Sequence, residues 1–185
     1  NNAGGAGGAG GGSSNGCSGP RMDIVFEIDN SRSMDDKQEV LSLVISKLIE
    51  SLAHPPCVDA SGTPIPNQPA DPLSCDCPAG SSRLHAPITD MHIGVISSSI
   101  GGHGSDACPN SEMFTCNGQL NTSNNDRGHL LSRKDPCSAS VIPTYENQGF
   151  LNWDPLMQSM PAGSGDLAGL GTTFKDMVLG VGQIG

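Results

Sequence analysis

Apolar residues in this chain gather in a few short runs separated by long polar stretches. Ile24, Val25, Phe26 and Ile28 form a nearly continuous run within 22–28. Such a run predicts a parallel strand buried on both faces. From Asp35 to Leu52, Leu41, Val44, Ile45, Leu48 and Leu52 recur at helical spacing, with Lys37, Glu39, Lys47 and Glu50 on the other face. Ser33 and Asp36 predict a capping box for this helix, and Pro55-Pro56 ends it. Met91 to Ser98 predicts a second strand on Ile93, Val95 and Ile96, adjacent and parallel to the first. Gly149 to Trp153 predicts a short edge strand, closed by Asp154-Pro155. Leu167, Leu170, Phe174, Met177, Val178 and Val181 predict a last helix from about Thr173, with Thr173 and Asp176 as its capping pair. Strand, polar loop, amphipathic helix and second strand together begin a doubly wound α/β fold.

The stretches between these runs change the picture in two ways. Residues 1–19 are Gly, Ala, Ser and Asn with one Cys. They cannot repay the entropy of folding and read as a flexible linker, its ends ~25 Å apart on average. Residues 54–90 and 101–148 are rich in Pro, Cys and polar residues and read as loop insertions in a domain spanning 20–185. Seven Cys favour an oxidising, extracytoplasmic compartment, with Cys57 joined to Cys75 or Cys77, and Cys108 to Cys116. Cys137 or Cys17 would find partners beyond this stretch of chain. Cys75-Asp76-Cys77 lacks the second pair that a structural zinc site needs. The formal net charge of −10 argues against nucleic acid as a partner. No apolar run approaches the ~20 residues of a membrane helix, so no insertion by this segment is expected. Because the chain opens on Asn, a leader or lipid anchor is expected upstream.

The chemistry lies at the end of the first strand, in MDIVFEIDNSRSM. Asp29 stands where the strand should stop, and Ser31 and Ser33 follow at alternate positions. One carboxylate and two hydroxyls on one tight turn make a hard oxygen set suited to Mg²⁺, with Mn²⁺ or Ca²⁺ as alternatives. Ligands of open α/β sheets bind beyond the carboxyl ends of the strands, where this loop should lie. The plainer reading is that the serines cap the next helix and Asp29 is a turn residue.

DIVFEIDNSRSM resembles the first strand and metal-ion-dependent adhesion site (MIDAS) of the von Willebrand factor A (vWA) domain family, whose motif is Asp-x-Ser-x-Ser. With HIGVISSSIGGHGSDAC further on, the chain is similar to bacterial cell-envelope vWA proteins with Cys-rich insertions, some of them lipoproteins. The resemblance implies a Rossmann-like doubly wound vWA fold, incomplete in this stretch. It implies a metal ligand set of Asp29, Ser31 and Ser33, and a Thr from a loop before a helix, supplied by Thr173 or its neighbour Thr172. The family's later Asp ligand has no counterpart up to Gly185. The implied function is adhesion: a protein partner presents an acidic side chain to the open position of the metal. A structural surface domain with no occupied site is the alternative.

An enzyme is less well supported. A phosphatase that begins with a strand ending in Asp needs a second Asp two residues on, and that position is Ser31. No Gly-x-Ser-x-Gly elbow or His-Glu-x-x-His helix is present. His103, Asp106 and Cys108 are close in sequence but read as an exposed loop. Glu27, on the same strand face as Asp29 by the two-residue period, is expected to be a buried carboxylate in need of a partner.

Overall fold

The computed structural model describes residues 19–99, 115–116, 119–120, 126–135 and 140–182. The linker at 1–18, Cys17, the His103–Asp106–Cys108 group and Cys137 lie outside the described residues. Strand β1 (Arg21–Ile28) leads through a 3-10 turn at Arg32–Met34 into helix α1 (Asp35–Ala53). Two short strands, β2 (Cys57–Val58) and β3 (Ser82–Arg83), pair antiparallel within the proline-rich stretch. Strand β4 (Asp90–Ser97) returns to the main sheet. Beyond it come the small hairpin β5 (Thr115–Cys116) and β6 (Gln119–Leu120), then β7 (Phe150–Trp153) and helix α2 (Leu167–Leu179).

The main sheet has the order β1-β4-β7. β1 and β4 run parallel as the sequence predicts, with Ile24 beside Ile93 and Ile28 beside Ser97. The helix between them supplies the crossover that parallel strands require. β7 runs antiparallel on the far edge, Leu151 beside Ile93 and Trp153 beside Met91. The architecture is therefore mixed α/β. α1 and α2 pack on one another and share a single core with Met91, Ile93 and Val95 of β4. Helices on both faces, the mark of a doubly wound sheet, are not seen among the described residues.

Burial along β1 alternates rather than running unbroken. Met22, Ile24 and Phe26 pack on the core, while Arg21, Asp23, Val25 and Glu27 are exposed. The strand was expected to be buried on both faces. Val25 is 60% exposed, because the second face has only a partial cover from such residues as Leu130 and Phe150. Glu27 is thus a solvated surface carboxylate, not the buried charge expected from its place in an apolar run.

The face that α1 buries also differs from the expected stripe. Ile45, Ile49 and Ala53 are fully buried, joined by Gln38 and Ser42. Val44 and Leu48, expected in the core, are 53% and 43% exposed. The buried positions advance by three and four residues, as a helix face must. They follow the polar Gln38 and Ser42, however, so the apolar pattern alone points to a face rotated from the true one. The expected Ser33–Asp36 capping box does not form: Met34 is the N-cap residue and no side chain caps the helix.

α2 starts six residues earlier than predicted. Asp166 is its N-cap, accepting a hydrogen bond from the Gly169 amide at 3.0 Å. Gly169 and Gly171 lower intrinsic helix propensity and hide this first turn from a sequence reading. They are tolerated because Asp166 caps the turn and Gly171 lies against Ser46 of α1.

The 54–90 stretch is tied down rather than free. Cys57 and Cys77 form a disulfide, one of the two expected pairings, and Cys75 is disulfide-bonded as well. Arg83 donates to the carbonyls of Pro55, Asp71 and Ser74, which gathers the loop around one guanidinium. This satisfies backbone acceptors that no ladder reaches. No helix among the described residues is long and apolar enough to cross a membrane.

Candidate functional site

The oxygen-rich loop leaves the carboxyl end of β1 and enters α1 through the 3-10 turn. Its position is set by Asn30, which is 1% exposed. The Asn30 side chain donates to Ser99 Oγ at 2.9 Å and accepts from Ser98 Oγ at 2.8 Å. Its backbone N–H donates to Ser98 Oγ at 3.2 Å. Ser98 N–H in turn donates to the Ile28 carbonyl at 3.0 Å. The loop is thereby stitched to the end of the neighbouring parallel strand. With Asn30 turned inward, its neighbours Asp29 and Ser31 turn outward.

Asp29 Oδ1 accepts a hydrogen bond from the Ser31 amide at 2.8 Å, and Ser98 Oγ lies 3.5 Å away. No hydrogen bond to Asp29 Oδ2 is seen among the described residues. Ser31 Oγ and Ser33 Oγ stand 3.4 Å apart on the same side of the turn. The amide of Ser31, then its hydroxyl, hold the Asp29 carboxyl below the usual carboxylate range. The group is therefore charged at neutral pH, and among the described residues its hydrogen bonds fall on Oδ1.

A related sequence, Asp59-Ala60-Ser61-Gly62-Thr63, makes a comparable turn, with the Ser61 and Thr63 hydroxyls 2.9 Å apart. Asp59 Oδ1 accepts from the Ser61 amide, the Ser61 hydroxyl and the Thr63 amide, at 2.8, 2.6 and 3.0 Å. Its backbone closes the same turn, Asp59 N–H to Thr63 carbonyl and Gly62 N–H to Asp59 carbonyl. That carboxylate oxygen is saturated by its own loop. In the Asp29 loop the carboxylate accepts one amide at 2.8 Å, with the Ser98 hydroxyl at 3.5 Å, against the two amides and one hydroxyl on Asp59.

The separation of the hydroxyls suits a hard cation. Two ligands at right angles around Mg²⁺ are ~3.0 Å apart, and around Ca²⁺ ~3.4 Å. Asp29, Ser31 and Ser33 are brought together on one turn, Ser31 joined to Asp29 through its amide and to Ser33 through its hydroxyl. Thr172 and Thr173 are not brought to them. Both lie within α2, where Thr172 Oγ1 donates to the Ala168 carbonyl and Thr173 Oγ1 to the Gly169 carbonyl. No hydrogen bond joins either to the Asp29 loop among the described residues. Thr173 instead borders a cleft with Asn152, Gly163 and Asp166. No group of three or more His, Cys, Asp or Glu side chains placed to hold a metal ion occurs among the described residues.

Several residues around the loop escape a motif search. Gln38, 4% exposed, donates to the Asp29 carbonyl at 2.7 Å and to the Gly182 carbonyl at 3.0 Å. Ser97 Oγ donates to Asp126, whose carboxylate forms a two-pronged ion pair with Arg133. Arg133 also donates to the Gly180 and Val181 carbonyls, at 2.7 and 2.8 Å, at the end of α2. The one available signal was the run Ser97-Ser98-Ser99 at the carboxyl end of an apolar strand. Gln38 carried none, since a polar residue in an amphipathic helix reads as solvated.

Comparison with protein-family models, with curated proteins and with solved structures returns no match for the chain.

Proposed function

We propose that this chain is an extracytoplasmic binding module of the vWA type. In this reading it holds Mg²⁺, or Mn²⁺ or Ca²⁺, through Asp29, Ser31 and Ser33, and it engages an acidic side chain of a partner protein. The observation that carries the reading is the state of the Asp29 loop. A charged carboxylate, hydrogen-bonded through one oxygen among the described residues, stands beside two hydroxyls 3.4 Å apart, at the carboxyl end of two parallel strands. A single carboxylate leaves a divalent ion with residual positive charge, which favours an anionic ligand from outside. Such a site acts by binding and not by turnover, and the proposal is of a non-enzymatic protein. The Cys57–Cys77 disulfide agrees with an oxidising compartment. Within the family resemblance, the parallel β1–β4 pair with antiparallel β7 would be one side of a larger doubly wound sheet.

The alternative is a surface domain in which the loop binds nothing. Calorimetry with Mn²⁺ and Mg²⁺ on the wild-type chain and on Asp29→Ala separates the two. Metal binding lost in Asp29→Ala, with circular dichroism unchanged, is the expected result. Absence of any heat with the wild-type chain, or equal heat with Asp29→Ala, overturns the proposal.

A further inference from the structure

The Asp29 loop and the end of α2 are far apart in sequence, yet one side chain holds both. The amide group of Gln38 spends its two protons on the carbonyls of Asp29 and Gly182. Gln38 is buried, so neither bond is readily exchanged for one to water. Each carbonyl belongs to a chain end that no ladder fixes: Asp29 follows the last residue of β1, and Gly182 follows the last turn of α2. An amide in this position joins the backbones of the two segments directly, beside the core packing of Ile28, Val178 and Val181. An apolar residue of the same shape would leave the buried Gly182 carbonyl unsatisfied and remove the direct tie to the part-buried Asp29 carbonyl.

The segment 180–182 has a second anchor. Arg133 donates to Gly180 and Val181, and its charge is balanced by Asp126, which Ser97 also reaches. The end of α2 is thus held between Arg133 on one side and Gln38 on the other. We infer that Gln38 is a positioning residue that couples the geometry of the Asp29–Ser31–Ser33 oxygens to the segment that follows α2. A displacement of Gly180–Gly182 is transmitted through the Gln38 amide to the Asp29 carbonyl, and from there to the carboxylate and the two hydroxyls. In the metal-binding role this inference rests on the function proposed above. The mechanical coupling stands independently of it.

A double-mutant cycle read by amide hydrogen exchange tests the coupling in the full chain. The reporters are the Ser31 and Met34 amides in the loop, and the Val181 and Gly182 amides after α2. The Leu131 amide on the Val95 carbonyl and the Ile88 amide on the Leu52 carbonyl are controls. Arg133→Lys keeps the charge but loosens the far anchor. It should raise exchange at Ser31 and Met34 as well as at Val181 and Gly182, by about 10-fold. In a Gln38→Met background the same substitution should no longer reach Ser31 and Met34. Gln38→Asn, which keeps the amide but is too short to span both carbonyls, replaces Gln38→Met should that variant not fold.

If Arg133→Lys raises Ser31 and Met34 exchange equally with and without Gln38, the signal travels by Ser97 and the inference fails. A uniform rise that includes the controls indicates a merely structural residue and also overturns it. Mn²⁺ affinity is measured on the same proteins, and Gln38→Met should weaken it about 5-fold, in line with a modest coupling energy. A wild-type chain that takes up no Mn²⁺ removes the metal reading, and the exchange cycle then decides the coupling alone.

Discussion

The hydroxyl of Ser46 on α1 donates to the carbonyl of Gly171 on α2 at 3.2 Å. A Cβ atom at Gly171 would lie 3.3 Å from that hydroxyl and 3.4 Å from the Ser46 Cβ. The two helices therefore meet here at small residues, and their approach sets how α2 lies against the sheet. Gly171→Val should push the helices apart and cost about 1–3 kcal/mol by overpacking. Gly171→Ala, at a tight but tolerable contact, should cost clearly less. Urea unfolding of both variants checks the order, and equal stabilities would contradict this contact.

The face of α1 gives a paired test. Ile49 is fully buried and Leu48 is 43% exposed. Ile49→Ala should cost ~2–5 kcal/mol, while Leu48→Ala should stay within about 1 kcal/mol. The reverse order in thermal unfolding would show that the helix is rotated towards the stripe expected from its apolar residues.

Asp126→Ala removes one member of an ion pair whose side chains are 6% and 15% exposed. Arg133 would keep its carbonyl partners but lose its counter-charge. Leaving a nearly buried charge uncompensated costs ~3–5 kcal/mol. Asp126→Ala paired with Arg133→Met should recover part of that loss, and a double variant no more stable than the single would refute the pairing.

Acid sensitivity should come in two stages. Burial holds the His54 imidazole below its ordinary value of 6.5. The folded state therefore prefers neutral His54, and the resulting stability is full above 6.5. It falls as the pH drops from there through the folded value, because the unfolded chain takes up the proton first. Asp154 behaves in the same direction lower down. Burial pushes its carboxyl up, but the amides of Gln158, Ser159 and Gly163 outweigh this and hold it below 3.8. Its contribution is present above 3.8 and is lost as the folded value is passed. Melting temperatures of wild type and His54→Gln should diverge least near roughly pH 5 and most above pH 7. A constant gap across that range would dismiss His54 as the titrating group.

Much of the β1–α1–β4 unit was legible because two short apolar runs flank one long amphipathic stretch. Parallel pairing then follows from the helix between the strands. What escaped depended on contacts between distant residues. Glu27 reads as buried when its neighbours Phe26 and Ile28 are apolar, but burial depends on what covers the second face. The start of α2 was missed because a capping aspartate and a close helix contact overrule the poor propensity of Gly169 and Gly171. At the loop, Asp29, Ser31 and Ser33 were visible as a spacing. Asn30 and Gln38, which hold that spacing in place, were not, because their bonds join residues 68 and 144 positions apart.

Trp153 is the only tryptophan of the chain and is 2% exposed. Its Nε1–H donates to the Ile88 carbonyl at 2.9 Å, and the His54 ring stands edge-on to it with centroids 6.0 Å apart. One indole thus touches the end of α1, the entry to β4 and the antiparallel edge strand. Buried there, it should emit to the blue in the native state and shift red when the junction opens, an optical gauge of that junction. Because an imidazolium quenches indole light more strongly than a neutral imidazole, the same signal reads the protonation of His54 without any added label.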